Sequence, residues 1–267
     1  MSKSLDGVIT KKANQQETFS QEQIEDLSKC MDPESGYLHF ARNFSYIQHP
    51  VQGNLLFDPY AYQVRLFDTY HSHRFNVNML PRQTGKTTCA AIYLTWYAMF
   101  NSDQTILIAA HKYTGAQEIM QRIRYGYELC PNHVRAGVVN YNKGSMDFDN
   151  GSRIIAQTTT ETTGRGMSIS LVYMDEFAFV EPQTKAQEFW TSLSPTLSTG
   201  GKCIITSTPN NDDDVFAGLW RGANSRVDEY GQPTRDGTGI NGFKAIGVHW
   251  SEPVSYTHLT LPTIYSV

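Results

Sequence analysis

One stretch limits what this chain can fold into. From Phe75 to Thr88 the sequence FNVNMLPRQTGKTT runs an apolar segment into a proline and then into Gly-Lys-Thr-Thr. A site for a triphosphate needs bare backbone N–H groups at a helix N-terminus, a flexible cation and a hydroxyl for a divalent metal. Gly85, Lys86 and Thr87 supply these in order, and CAAIYLTWYAMF behind them has the apolar density of a buried helix. The stretch therefore reads as strand, phosphate loop and helix, with Arg82, Gln83, Thr84 and Thr88 completing the loop. The usual G-x-x-x-x-G-K-[ST] spacing would put glycine where Leu80 stands, and a tight turn with a helix-capping threonine is the alternative reading of the same residues.

A second segment belongs with the first. ISLVYMDEFAFV carries Leu171 to Met174 as a buried strand and delivers Asp175 and Glu176 at its C-terminal tip, the edge of an open parallel sheet where ligands bind. The chemistry divides between the acids: Asp175 holds Mg²⁺, and Glu176 orients or deprotonates an attacking water. KCIITSTP is a further strand that closes the set, and it leaves the sheet through Thr206, Ser207 and Thr208, hydroxyls placed to sense a γ-phosphate. Ordinary β-branched strand composition explains those three equally well. The loop TTTETTGRGMSIS places Arg165 between two glycines near the same edge, either as a surface arginine or as a group able to reach a neighbouring subunit's phosphates.

The remaining chain supports an α/β protein. Its 267 residues are 40% hydrophobic and 18% charged, which suits one large domain or two small ones. No stretch is long and apolar enough to span a membrane, the polar start MSKSLDGVITKKANQQETFSQ lacks the core of a signal peptide and predicts a mobile segment, and four scattered cysteines suit reduced thiols; an intracellular protein is expected. A net charge of −4 requires any nucleic-acid contact to use a local basic face, for which Lys112, Arg122 and Arg124 form a modest cluster or simply a solvated face. Ser20 and Gln23 spell a capping box for a short helix over residues 18–31, YAYQVRLFDTY has helical spacing, QTILIAAH is a buried strand parallel to the first, and TGAQEIMQRIRYGYELC is a helix. Gln63, alone, reads as a solvated helix residue, although a carboxamide matches the edge of adenine, and His71 and His73 read as surface residues. GVVNYN, GSMDFD and SRIIAQTT, with Asn150-Gly151 between the last two, predict an antiparallel piece on one sheet edge. Asp212, Asp213 and Asp214 read as a helix start rather than a two-metal nuclease site.

Taken together, YQVRLFD, PRQTGKTT, NKGS…DNGS, RGMSISLVYMDE and IITSTPN, in this order from about Tyr37 to Trp250, resemble the ATPase domain of the large terminase subunit of tailed bacteriophages. The resemblance implies a RecA/ASCE-like P-loop NTPase: a mostly parallel central sheet flanked by helices, with an antiparallel hairpin at one edge. It accommodates Leu80, because that family's loop carries an arginine equivalent to Arg82. It implies Gln63 at adenine, Arg82 and Lys86 on the phosphates, Thr87 and Asp175 on Mg²⁺, Glu176 as catalytic carboxylate and Thr206 to Thr208 as the coupling motif. ATP and Mg²⁺ are the implied cofactors. The implied partners are double-stranded DNA, a portal protein, a small terminase subunit and further copies of the chain in a ring, in a host cytoplasm at the procapsid.

The expected organisation is a polar segment over 1–36, the ATPase domain over 37–250 and an atypical tail over 251–267, with no nuclease domain and hence no DNA cleavage. A DEAD-related helicase-like translocase and a non-catalytic scaffold that keeps the fold are the alternatives.

Overall fold

The structure is a computed structural model that describes residues 9–160, 166–228, 231–234, 236–249 and 251–252. Helix α1 (Gln21–Met31) starts at Ser20 with both halves of its capping box formed by Gln23, and α2 (Gly36–Phe44) follows. A small antiparallel hairpin, β1 (Tyr46–His49) and β2 (Gly53–Leu56), precedes α3 (Ala61–Ser72). The alternating core then runs β3 (Phe75–Met79), α4 (Lys86–Phe100), β4 (Thr105–Ala110) and α5 (Tyr113–Leu129). Three strands, β5 (Val138–Tyr141), β6 (Ser145–Phe148) and β7 (Arg153–Thr158), lead to β8 (Leu171–Asp175), α6 (Gln183–Thr196), β9 (Lys202–Ser207), α7 (Val215–Asn224) and β10 (Lys244–Gly247).

Eight strands form one sheet in the order β10-β3-β9-β8-β4-β7-β6-β5. From β10 to β7 every pairing is parallel, and β6 and β5 add the expected antiparallel piece at one edge. The turn there is built as the sequence suggests: Gly151 has φ +82°, and a Cβ on it would lie 2.2 Å from Asp103 Oδ1. Asn150 donates its amide to the carbonyls of Ala98, Met99 and Asn101, so the same turn caps the end of α4. The opposite edge differs from expectation. Strand β9 does not close the set, because β10 pairs with β3 outside it.

The pleat divides the core in two. Ile106 and Ile108 face the layer of α2, α3, α4 and α5, whereas Leu107 and Ala109 face the layer of α6 and α7. Helix α4 is buried almost all round, as its unbroken apolar sequence requires. His71, read as a surface residue, instead stacks on Tyr37 with ring centroids 4.4 Å apart and meets Trp96 edge-on. The polar N-terminal segment is also tied down where it is described. Val138 N–H donates to Lys11 O, and Trp96 Nε1 donates to Cys30 O at 2.8 Å, fixing α1 to α4.

Candidate nucleotide-binding and catalytic site

All parallel strands present their C-terminal ends on one side, and the loop from Leu80 to Gly85 leaves the sheet there. Leu80 shows why no glycine is needed at its position. Its side chain is fully buried in the core, and its N–H donates to Ser207 O, so the loop departs as an extension of the β3–β9 ladder. Gly85 is where glycine is indispensable: φ is +73°, and a Cβ would lie 2.8 Å from Gln63 Nε2. Helix α4 begins immediately after it, so the first-turn amides of Lys86, Thr87 and Thr88 have no carbonyl partner within the helix and point toward the cleft.

The loop is held from behind. Thr84 O accepts from Tyr62 OH at 2.7 Å and from Gln63 Nε2 at 3.2 Å, while Gln63 Oε1 accepts from Tyr60 N–H at 3.0 Å. Gln63 is 4% exposed. It is therefore not a solvated helix residue: its Nε2 holds the loop, and its Oε1 caps the first turn of α3. Thr84 is likewise internal, its hydroxyl donating to Pro81 O.

Across the cleft, β8 ends at Asp175, and Glu176 adopts φ +50°, which turns its carboxylate back toward the loop. Glu176 Oε1 lies 2.5 Å from Lys86 Nζ, and Oε2 accepts from Thr208 N–H and Oγ1, each at 3.0 Å, with Ser207 Oγ at 3.3 Å. Burial opposes ionisation of Glu176, but Lys86 and Thr208 outweigh it and hold the carboxyl below its ordinary range. Asp175 moves the other way. Burial raises it to about 6, against partial opposition from the Tyr173 hydroxyl, which donates to Oδ1 at 2.8 Å. An under-compensated carboxylate of this kind fits a hard divalent cation, and Thr87 on the facing helix turn offers a hydroxyl of matching chemistry.

A cleft of about 620 Å³ joins Lys86, Thr87, Glu176 and Thr208, and Asp175 is not among its lining residues. Arg82, Gln83, Gly85, Lys86, Thr87 and Thr88 line one side, with Glu176 and Thr208 facing them. Thr206 is not among them: it pairs in register with Asp175 inside the sheet and is wholly buried, so the three hydroxyls divide among the core, the Glu176 carboxylate and the cleft. Arg165 lies outside the described residues.

Sequence reasoning missed His111 and did not assign Arg122 to this site, and both also line the cleft. His111 stands directly after β4, so the rule that located Asp175 at a strand tip also applies to it. The basic cluster divides here. Arg122 faces the cleft, whereas Arg124 packs over the Tyr141 ring at 5.0 Å. Asp214 is the N-cap of α7, accepting from Ala217 N–H at 2.6 Å, as read for that triplet.

Residues 77–232 match the family described as terminase large subunit, T4likevirus-type, N-terminal. Among solved structures, the fold is similar to the ATPase domain of the Thermus phage P74-26 large terminase, with TM-score 0.54 and 18% identity over 72% of this chain and 81% of that one. It is also similar to the HK97 bacteriophage large terminase, with TM-score 0.57 and 17% identity over 69% of this chain and 39% of that one. The large terminase of the thermophilic bacteriophage D6E, in complex with ATP-gamma-S, gives TM-score 0.53 and 12% identity over 74% of this chain and 47% of that one. This chain therefore spans less than half the length of the HK97 and D6E proteins.

Proposed function

The chain belongs to the terminase large-subunit family of T4-like-virus type, and from that premise we propose that it is the ATP-hydrolysing domain of a motor that drives double-stranded DNA into a viral procapsid. The observation that carries the reading is the meeting of Lys86, at the N-terminus of α4, with Glu176 and Thr208 at the strand tips. Phosphoryl transfer demands little covalent chemistry of the protein, so positioning and charge stabilisation dominate.

These placements support the following roles, and that of Arg165 rests on the sequence alone. Backbone N–H groups from Gly85 to Thr88 cradle the phosphates, and Lys86 exchanges its carboxylate partner for phosphate oxygens. Arg82, exposed on the same loop, contributes a second cation from the same subunit. Thr87 and Asp175 would hold Mg²⁺, which would supply positive charge beside the phosphate oxygens. Glu176 is released by Lys86 as phosphate takes that lysine, and then orients or deprotonates the attacking water. Thr208 and Ser207 report that release to the end of β9, coupling turnover to movement. Arg165 is the candidate for contact with a neighbouring subunit's phosphates in a ring. The portal, the small subunit and double-stranded DNA are the proposed partners, acting in the host cytoplasm on a docked procapsid. Among the described residues no helix is long and apolar enough to cross a membrane.

The test is Mg²⁺-dependent ATP binding and hydrolysis by the chain alone, with linear DNA, and with portal-bearing procapsids. Binding that disappears in Lys86→Ala, and turnover that rises with procapsid and DNA together, is the expected result. A wild-type chain that binds no ATP overturns the nucleotide reading, and turnover indifferent to procapsid and DNA overturns the packaging reading.

A further inference from the structure

We propose that Tyr173 is a positioning residue for Asp175, its phenol fixing the carboxylate in the orientation that receives the divalent metal, with the Thr206 hydroxyl steadying the phenol from the neighbouring strand. This rests on the reading of the phosphate site above. Strand β8 is buried on both faces, a setting that calls for apolar residues throughout, and Leu171, Val172 and Met174 comply. Tyr173 does not. It carries a hydroxyl into the core layer beneath α3 and α4, where it is wholly buried. A buried phenol needs a hydrogen-bond partner. Tyr173 takes the Asp175 carboxylate, donating to Oδ1 at 2.8 Å.

Alternation along the strand explains why these two groups meet. Tyr173 and Asp175 are two residues apart, so both side chains leave the same face of the sheet. Thr206 lies on that face too: it pairs in register with Asp175, it is wholly buried, and its hydroxyl acts on both the Tyr173 phenol and the Tyr70 phenol of α3. The bond from Tyr173 uses one of about four lone-pair sites on the carboxylate, so it restrains the group without spending it. A donor of this kind fixes a ligating carboxylate before the cation arrives, and losing it costs roughly 10- to 100-fold in metal affinity. Helix α3 then serves both halves of the site. Tyr62 and Gln63 in its first turn hold Thr84 O of the phosphate loop, and Tyr70, about two turns further on, stands against Thr206.

Packing alone would be served equally by phenylalanine, which makes Tyr173→Phe the test. Mn²⁺ titrated by electron paramagnetic resonance into the ADP-bound chain should bind about 10- to 100-fold more weakly in this variant. ADP binding in EDTA should match wild type, and the Mg²⁺ concentration that gives half-maximal single-turnover hydrolysis should rise by the same factor as the Mn²⁺ constant. Thr206→Val, which removes the hydroxyl at nearly constant volume, should shift the Mn²⁺ constant in the same direction by less. Wild-type Mn²⁺ affinity in Tyr173→Phe overturns the proposal, as does an equal loss of ADP binding with and without metal, the mark of a merely structural tyrosine. If Tyr173→Phe does not fold, Thr206→Val decides, and an unchanged Mn²⁺ constant there overturns the proposal. A wild-type chain that binds ADP neither with nor without Mn²⁺ overturns the phosphate-site reading, and this one with it; where wild type binds both, a negative result in the variants counts against Tyr173 alone.

Discussion

Replacing Glu176 with glutamine should destabilise the protein without ATP, tighten ATP binding and abolish most turnover, three effects with one cause. Lys86 is 7% exposed, and Glu176 Oε1 at 2.5 Å is its ion-pair partner. The amide oxygen of glutamine can still accept from Thr208 N–H and Oγ1, but its NH₂ then faces an ammonium that it cannot neutralise. Breaking a buried ion pair by removing one partner costs roughly 3–5 kcal/mol. The Glu176 side chain is 24% exposed, so solvent screens part of this and about 2–3 kcal/mol is expected. In the wild type a phosphate must take Lys86 from Glu176, and a carboxylate also repels the incoming charge. Both obstacles vanish in the variant, so ATP affinity should rise about tenfold, equivalent to about 1.4 kcal/mol. Turnover should fall by about 10²–10⁴, the usual contribution of a positioned general base. Urea unfolding with and without ATP, equilibrium ATP titration and single-turnover hydrolysis read the three quantities. A variant as stable as wild type without ATP, or one that binds ATP more weakly, would refute the claim that Lys86 is shared between carboxylate and phosphate.

Gln63→Ala should cost about 2 kcal/mol in urea unfolding, from one buried and one part-buried hydrogen bond at about 1 kcal/mol each, and should weaken ATP and tripolyphosphate by the same factor if the side chain acts only by holding the loop; a loss specific to ATP would place Gln63 at the base. Lys202 tests the pH dependence of stability. Its ammonium donates to Tyr70 O and His71 O at the end of α3, and burial lowers it from 10.5 to about 8. The unfolded chain therefore holds this proton more tightly than the folded one, so the lysine's unfavourable contribution shrinks as pH rises from the folded toward the unfolded value. Wild type should gain about 2 kcal/mol relative to Lys202→Met between roughly pH 7.5 and 9.5, a comparison in which the buried thiols cancel. A difference that stays flat across that window would count against the shift.

Several parts of the molecule were legible from short-range sequence because their physics is short-range. The Ser20–Gln23 capping box, the Asn150-Gly151 turn and the Asp214 cap are each made by backbone groups a few residues away, so the local sequence determines them. The phosphate loop and the Asp175–Glu176 strand tip were likewise readable, since a strand running into a helix N-terminus or an acidic tip needs no knowledge of its neighbours. What the local sequence left open was which way side chains point and what they meet. Thr206 and Thr208 look alike in KCIITSTP, but strand register places the first opposite Asp175 inside the sheet and leaves the second beyond the last pairing, where its hydroxyl reaches Glu176. Gln63 looked solvated because nothing in YAYQVRLFDTY says that the loop after β3 will fold back onto it. Arg122 and Arg124 sit two apart on one helix, about 200° around its axis, so one faces the cleft and the other Tyr141 once α5 is packed beside α4. The pairing of Lys86 with Glu176 joins segments that meet only because β9 and β8 stand beside β3, a neighbour relation set by the packing of the whole sheet rather than by any window of sequence.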